Sequence, residues 1–279
     1  MTKTPPTIDL LILGAGWTST FLLPLLNQES ISFVATSTAG RDGTLPFRFD
    51  SDTDDASPFA VLPPAHTILI TFPLKGAGPS ERLVAAYAAT HPSTPNPQYL
   101  QLGSTGIWTA AGWTDRHSEP DTSNARFVAE EELLSVAPTA AIFNLAGLYG
   151  GARQPRAWVS RVAKTEADAK AKGALHLIHG EDVSRAIVAA HRNWDAVKGQ
   201  RWLVSDTRVY DWWWLMAEWD AGVAGKESGL RARVAEWMGE EGVRALPRES
   251  EKLGRCLDAR ETWKALGIVP MRTAKDVLG

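Results

Sequence analysis

Apolar residues first gather in Asp9-Leu10-Leu11-Ile12-Leu13, a short unbroken run that gives way at once to Gly14-Ala15-Gly16. The run is too short for a helix and lacks the alternation of a half-exposed strand, so it predicts a buried parallel strand entering a tight turn. Trp17 to Gln28 has helical patterning, with Pro24 expected to kink or roughen the helix because the Thr20 carbonyl loses its amide partner. Ile31 to Ala35 predicts a second strand, Phe47 to Asp50 a short third, and Thr67 to Phe72 a fourth that Pro73 ends. A helix over Glu81 to Thr90, a fifth strand over Gln98 to Gly103, a helix over Ser123 to Ser135 and a sixth strand over Thr139 to Leu145 follow. Glu130, Glu131 and Glu132 are assigned to the solvated side of that last helix. Strands alternating with helices predict an α/β fold, a doubly wound and mostly parallel sheet over residues 1–150.

Beyond Gly150 the pattern changes to amphipathic helices with short apolar strands, including Leu175 to Ile178, a helix from Asp182 to His191, and Trp202-Leu203-Val204. Residues 151–279 are therefore expected to form a smaller C-terminal α/β lobe for the substrate, with helices returning to the first domain. Asp258-Ala259-Arg260-Glu261 has the spacing of a capping box, opening a helix that Gly267 stops. Tyr210 to Trp219 holds four of the chain's twelve tryptophans. Successive helical residues point about 100° apart, so Trp212, Trp213 and Trp214 cannot share one core. A helix wedged between two layers is the preferred reading, and a pocket wall or self-association surface is the other.

Charge and composition narrow the partners. A net charge of −3 and a pI near 6.1, with no clustered basic face, argue against nucleic acid or an anionic membrane. No apolar stretch approaches the ~20 residues that cross a bilayer. The single Cys256 cannot form an internal disulfide, and the N-terminus lacks a signal-peptide run, so a reducing, cytoplasmic location is expected. The expected partner is a small-molecule substrate, with a homodimer left open. His66, His91 and His117 lack metal-ligand spacing, and Ser104 lacks the flanking residues of a nucleophile elbow, so no metal and no serine-hydrolase chemistry are expected.

The glycine turn carries the chemistry. In a Rossmann dinucleotide fold the first glycine permits the turn after the strand, and the second lets backbone amides approach a pyrophosphate at the positive end of the next helix. Gly14 and Gly16 fill these roles, flanked by Ala15, Trp17 and Thr18, while Ser19 stands where a third glycine is usual. An acid closing the second strand would bind a ribose 2′-hydroxyl and repel a 2′-phosphate. Here the segment is Thr36-Ser37-Thr38-Ala39-Gly40-Arg41, which offers Ser37 and Thr38 hydroxyls and the Arg41 guanidinium, so NADP(H) is the expected cofactor. The solvated alternative for Arg41, beside Asp42, stays open. Phe72, Pro73 and Lys75 follow the fourth strand, where ligands bind in open sheets, and join the cofactor-binding candidates.

Four segments, Leu13-Gly14-Ala15-Gly16-Trp17, Leu102 to Trp108, Leu145 to Gly151 and Ile178 to Val183, together resemble the short-chain dehydrogenase/reductase superfamily, close to its atypical epimerase/dehydratase-like group. The resemblance runs over nearly the whole chain. It implies a serine or threonine at the end of strand five, a tyrosine proton donor, and a lysine four residues after it. Thr105 takes the first role, with Ser104 beside the cofactor. Placing Glu130 on the family's helical glutamate puts Arg126 at the lysine position and Thr122 where tyrosine belongs. A threonine hydroxyl is too weak an acid to replace a tuned phenol, and arginine cannot shuttle a proton. Tyr149, His179, Lys75 and Trp108 are the substitutes nearest by segment, each with a structural reading as well: for Tyr149 a packed aromatic with its hydroxyl tied to backbone, and for His179 a residue that orients a turn. The catalytic candidates are therefore Thr105, Tyr149 and Arg126. The resemblance implies an NADP(H)-dependent oxidoreductase acting on a small organic carbonyl without the usual tyrosine. A non-redox NADP-binding sensor and an isomerase or cyclase on the same fold are the alternatives.

Overall fold

Residues 6–94, 96–221, 229–272 and 276 are described by a computed structural model. At its centre lies β1 (Ile8–Leu13), whose residues Leu10 to Leu13 are almost wholly buried. Helix α1 (Ser19–Gln28) is continuous through Pro24 and leads to β2 (Phe33–Ser37) and a two-residue β3 (Leu45–Pro46). Then come β4 (Ala65–Ile70), α2 (Pro79–Thr90), β5 (Gln98–Ser104), α3 (Ala125–Val136), β6 (Ala141–Leu145), α4 (Gly180–Arg192) and β7 (Gln200–Val204). The strands form one sheet in the order β7-β6-β5-β4-β1-β2-β3, with every neighbouring pair parallel. The direction of strand addition reverses between β1 and β4, which opens a crevice at their carboxyl ends.

One apolar layer joins α1 and α4 to the sheet through Leu22, Leu26, Val183 and Ile187, and the other joins α2 and α3 through Leu83, Tyr87 and Leu133. Truncating any one of these buried leucines to alanine costs about 2–5 kcal/mol. Trp202, Leu203 and Val204, placed by pattern in the second lobe, form most of the seventh strand of the main sheet, paired along β6. Their continuous burial is what a parallel strand covered on both faces requires.

Further expectations differ from the structure. Phe47 to Asp50 is not a strand: β3 precedes it, and Phe47 turns into the core against the Phe59 ring, 5.0 Å away edge to face. Glu130 is not solvated but fully buried, where it accepts from Asn144 Nδ2 at 2.8 Å and from Arg201 Nε at 2.8 Å. Glu132 is also engaged, accepting from the amides of Gly78, Ser80 and Glu81 at the start of α2, where a carboxylate suits the helix dipole. The capping box at Asp258 does not form, because the helix begins at Arg260 and Asp258 instead pairs with the Arg260 guanidinium and amide. Gly267 ends that helix as expected.

A third apolar cluster belongs to the smaller lobe. Helix α5 (Trp212–Ala221) buries Trp212, Trp213 and Trp219 beside Trp237, with Trp214 partly buried against the same cluster, so contrary to expectation the three successive tryptophans share one core, because Tyr149, Leu177 and Val234 cover the helix from several elements. Asp211 starts this helix, capping the Trp213 amide at 2.9 Å and pairing with Arg248, which lies over the Trp213 ring at 3.9 Å. No helix among the described residues is long and apolar enough to cross a membrane.

Candidate functional site

The loop after β1 is set by hydrogen bonds from both flanking strands. The Gly14 amide donates to Thr36 Oγ1 at 3.0 Å, Ala15 N donates to the Thr36 carbonyl, and Thr71 Oγ1 donates to the Gly14 carbonyl. Gly14 has φ +94°, and a Cβ there would lie 2.8 Å from Thr71 Oγ1 and 3.2 Å from the Phe72 ring, so only glycine fits. Gly16 is exposed, with open space where its side chain would be. The Trp17 and Thr18 amides, immediately before α1, make no hydrogen bond to any described residue. Two free N–H groups at a helix start, approached across a glycine with no side chain, fit a pyrophosphate. Ser19, at the third-glycine position, is buried with its hydroxyl unpartnered.

Trp17 connects this loop to the smaller lobe. Its Nε1 donates to the Gly150 carbonyl at 3.2 Å, its ring meets Phe21 edge to face, and the Arg153 guanidinium lies 4.5 Å above it. The segments Gly147–Tyr149 and Leu177–His179, which the sequence shows only as separate motifs, pair as parallel strands on the far side.

Two adjoining cavities open along the carboxyl ends of the strands. The first, about 310 Å³, includes Gly16, Trp17, Thr18, Pro73, Arg126 and Arg153. The second, about 720 Å³, adds Ser104, Trp158 and Arg161 while sharing Gly103, Arg126 and Arg153 with the first. Only glycine fits at Gly103, because a Cβ there would lie 2.4 Å from Glu130 Oε1 and 2.5 Å from Asn144 Nδ2. Burial pushes the Glu130 carboxyl upward, against the opposing hydrogen bond and charge of Arg201.

The remaining candidates separate. Arg41 donates from Nη2 to the Ala15 carbonyl at 3.3 Å and meets Asp42 at 3.6 Å, with both side chains largely exposed, so it stands over the phosphate loop. The Ser37 hydroxyl is occupied in shaping the loop, meeting Thr44 Oγ1 at 2.7 Å and accepting from the Arg41 amide at 3.2 Å, while Thr38 is exposed. Phe72 flanks Gly14 and stacks on Phe49 at 5.9 Å, and Pro73 lines the cleft. Lys75 is exposed and lies outside both cavities. Of the strand-five pair it is Ser104 that faces the second cavity, whereas Thr105 is buried, with its carbonyl accepting from Arg255 Nη1 at 2.8 Å. Thr122 is exposed in the turn before α3.

Tyr149 is 1% exposed, lines neither cavity, and leaves its hydroxyl unpartnered rather than tied to backbone. Burial first, and the charge of Asp206 second, push its phenol upward, away from acid chemistry near neutral pH. His179 accepts at Nδ1 from the Glu181 amide at 3.2 Å, so it caps α4 and orients its turn. Thr36 belongs to the hydroxyl-rich segment that closes β2, but its hold on the Gly14 amide, like the cavity placement of Arg153 and Arg161, appears only in the structure. Thr36 has a signal, a hydroxyl directly after an apolar strand, but the two arginines lie in a stretch without periodicity.

No protein-family model matches the sequence, and no curated protein matches it. Solved structures do match. A Methylobacillus flagellatus protein assigned as an NAD-dependent epimerase/dehydratase is 14% identical, with a TM-score of 0.59 over 93% of this chain and 92% of that one. RMD from Pseudomonas aeruginosa, complexed with NADPH, is 12% identical with a TM-score of 0.63 over 98% of this chain and 95% of its own. UDP-N-acetylglucosamine 4-epimerase from Bacillus cereus is 8% identical with a TM-score of 0.63 over 98% and 97%. The chain shares the α/β Rossmann fold of these proteins over nearly its full length.

Proposed function

We propose that the chain is an atypical short-chain dehydrogenase/reductase that binds NADP(H) and acts as an oxidoreductase on a small organic carbonyl. The observation that carries the reading is the pair of free amides at Trp17 and Thr18, facing a side-chain-free Gly16 at the topological switch point. Gly14, Ala15, Gly16, Trp17 and Thr18 would hold the pyrophosphate. Arg41, above Ala15, would take the 2′-phosphate. Structural neighbours named for NAD and for NADPH support a nicotinamide dinucleotide, and Arg41 is the reason for choosing NADP(H).

Such a dinucleotide, when bound, supplies or accepts hydride at its nicotinamide. This chain must orient the carbonyl and stabilise the charge that develops on its oxygen. Ser104 accepts from the Gly106 amide at 3.2 Å, which leaves its own hydroxyl proton free to donate into the second cavity. Arg126, at the same cavity, stabilises an alkoxide but holds its proton, so the proton that completes reduction comes from water. Calorimetric titration with NADPH and NADH, followed by NADPH oxidation across a carbonyl panel, tests the reading. Ser104→Ala should lower kcat about a hundredfold, as loss of one oxyanion donor does. Loss of turnover in Thr105→Ala with Ser104→Ala unaffected would return the role to Thr105.

A second reading rests on Thr122. With an exposed threonine where the family carries its tyrosine, NADPH binding without oxidation of any panel substrate would favour a non-redox sensor, or an isomerase or cyclase on the same fold.

A further inference from the structure

The second cavity has a charge its fold does not require. Arg126, Arg153 and Arg161 line it, and among the described residues no aspartate, glutamate, lysine or histidine lines either cavity. None of the three guanidinium groups forms an ion pair with a described residue. Glu130, one helical turn from Arg126, is already engaged by Arg201 and Asn144. Two of the three guanidinium groups are placed by aromatic faces instead: Arg153 lies 4.5 Å over Trp17 and Arg161 lies 5.9 Å over Trp158. A planar cation resting on an indole keeps its N–H edges free for an oxyanion.

We infer that the second cavity binds a substrate carrying an oxyanion, a carboxylate or a phosphate, gripped by Arg161 and Arg153 on the lobe side while the dinucleotide occupies the first cavity. This rests on the dinucleotide reading above. The three arginines divide by position. Arg126 and Arg153 line both cavities and so also face the cofactor, whereas Arg161 lines the second alone. Arg161 is therefore the residue whose loss separates substrate from cofactor. The anion fixes one end of the substrate and leaves its carbonyl to Ser104 and Arg126 at the other.

The experiment titrates the full chain, saturated with NADP+, with inorganic phosphate, succinate and the neutral succinamide, by calorimetry at low ionic strength. Phosphate or succinate should bind and succinamide should not, and which anion binds tells phosphate from carboxylate chemistry. Arg161→Gln should weaken the anion at least about tenfold, the loss expected of a charge-assisted hydrogen-bond donor, with NADP+ affinity within about twofold of wild type. Arg153→Gln should weaken both ligands. Lys264→Gln, on an exposed helix surface, is the charge-matched control and should change neither. Equal binding of succinamide, no binding of either anion at millimolar concentration, or unchanged anion affinity in a normally melting Arg161→Gln protein would each overturn the inference. Failure of NADP+ itself to bind would refute the dinucleotide reading instead, and the same anion titrations of the free protein then still decide the arginine cavity.

Discussion

The two walls of the cleft are built by different means. On the β1 side the wall is backbone: two glycines, two free amides and a helix start, fixed by Thr36 and Thr71 from neighbouring strands. On the lobe side it is made of side chains, arginines laid over Trp17 and Trp158 and drawn from segments that meet only in three dimensions. A backbone wall offers the same donors to any dinucleotide, because a pyrophosphate is the same in each. A side-chain wall can be changed one residue at a time, so under the proposed reading substrate specificity would reside there. Substitutions that damage one wall and spare the other are the tests of this division.

The largest effect is expected beneath the floor that the walls share. Glu130→Leu removes a fully buried carboxylate and leaves Arg201, 13% exposed, and Asn144 without their common acceptor. Breaking a buried pair from one side costs about 3–5 kcal/mol, softened here because Arg201 keeps Glu131 at 2.9 Å. A fall of about 3 kcal/mol in urea-unfolding stability is the expected result. An unchanged midpoint would show that the Glu130 network does not stabilise the fold.

How much of this was legible depends on whether the signal is local. The run Leu10 to Leu13 ending at Gly14 announces both a buried strand and its turn, because strand burial and glycine geometry are short-range facts. Phe47 and Phe49 have strand-like spacing, yet they answer to Phe59 and Phe72, which no window of sequence connects. Three consecutive glutamates resemble a solvated face, but a helix turns each by about 100°, and only Glu131 remains outside. Ser104 and Thr105 are adjacent, and the turn that follows β5 decides which of them reaches the cleft. Arg153 and Arg161 have no periodicity and no motif. Their role exists only once Trp17 and Trp158 are brought beneath them.

Charge buried behind the lobe wall makes a pH prediction. Burial pushes the Asp206 carboxyl from 3.8 to about 6, so folding favours its protonated form and its contribution to stability declines as pH rises through that window. Burial also pushes His176 from 6.5 down to about 4, which favours the neutral ring and removes stability as pH falls through the same range. The two slopes oppose each other between about pH 4 and 6. Asp206→Asn removes the first, so stability relative to wild type should grow from near zero at pH 4 to about 3 kcal/mol at pH 7. A difference independent of pH, measured by urea unfolding across that range, would place the Asp206 charge in water.

Gly14→Val attacks the backbone wall directly. The φ of +94° is strained for valine and its Cβ would press on Thr71 and Phe72, so the loop must move away from the pyrophosphate position. Dinucleotide affinity should fall about a hundredfold, roughly 2.7 kcal/mol, for NADPH and NADH alike. If the anion affinity of the second cavity falls with it, the walls are not independent.

The smallest effect distinguishes the cofactors. Arg41 is largely exposed and already shares its charge with Asp42, so solvent and its neighbour both reduce what it can add to a bound phosphate. It nonetheless stands over Ala15, within 3.3 Å of the carbonyl, at the end of a strand that carries no acid. Arg41→Ala should therefore weaken NADPH about tenfold, near 1.4 kcal/mol, and leave NADH unchanged. Equal losses for the two would mean that Arg41 steadies the phosphate loop through Ala15 and reads nothing of the 2′ position. An unchanged NADPH affinity would leave the backbone wall without a cofactor preference, and Asp42 would then be the partner that keeps Arg41 in solvent.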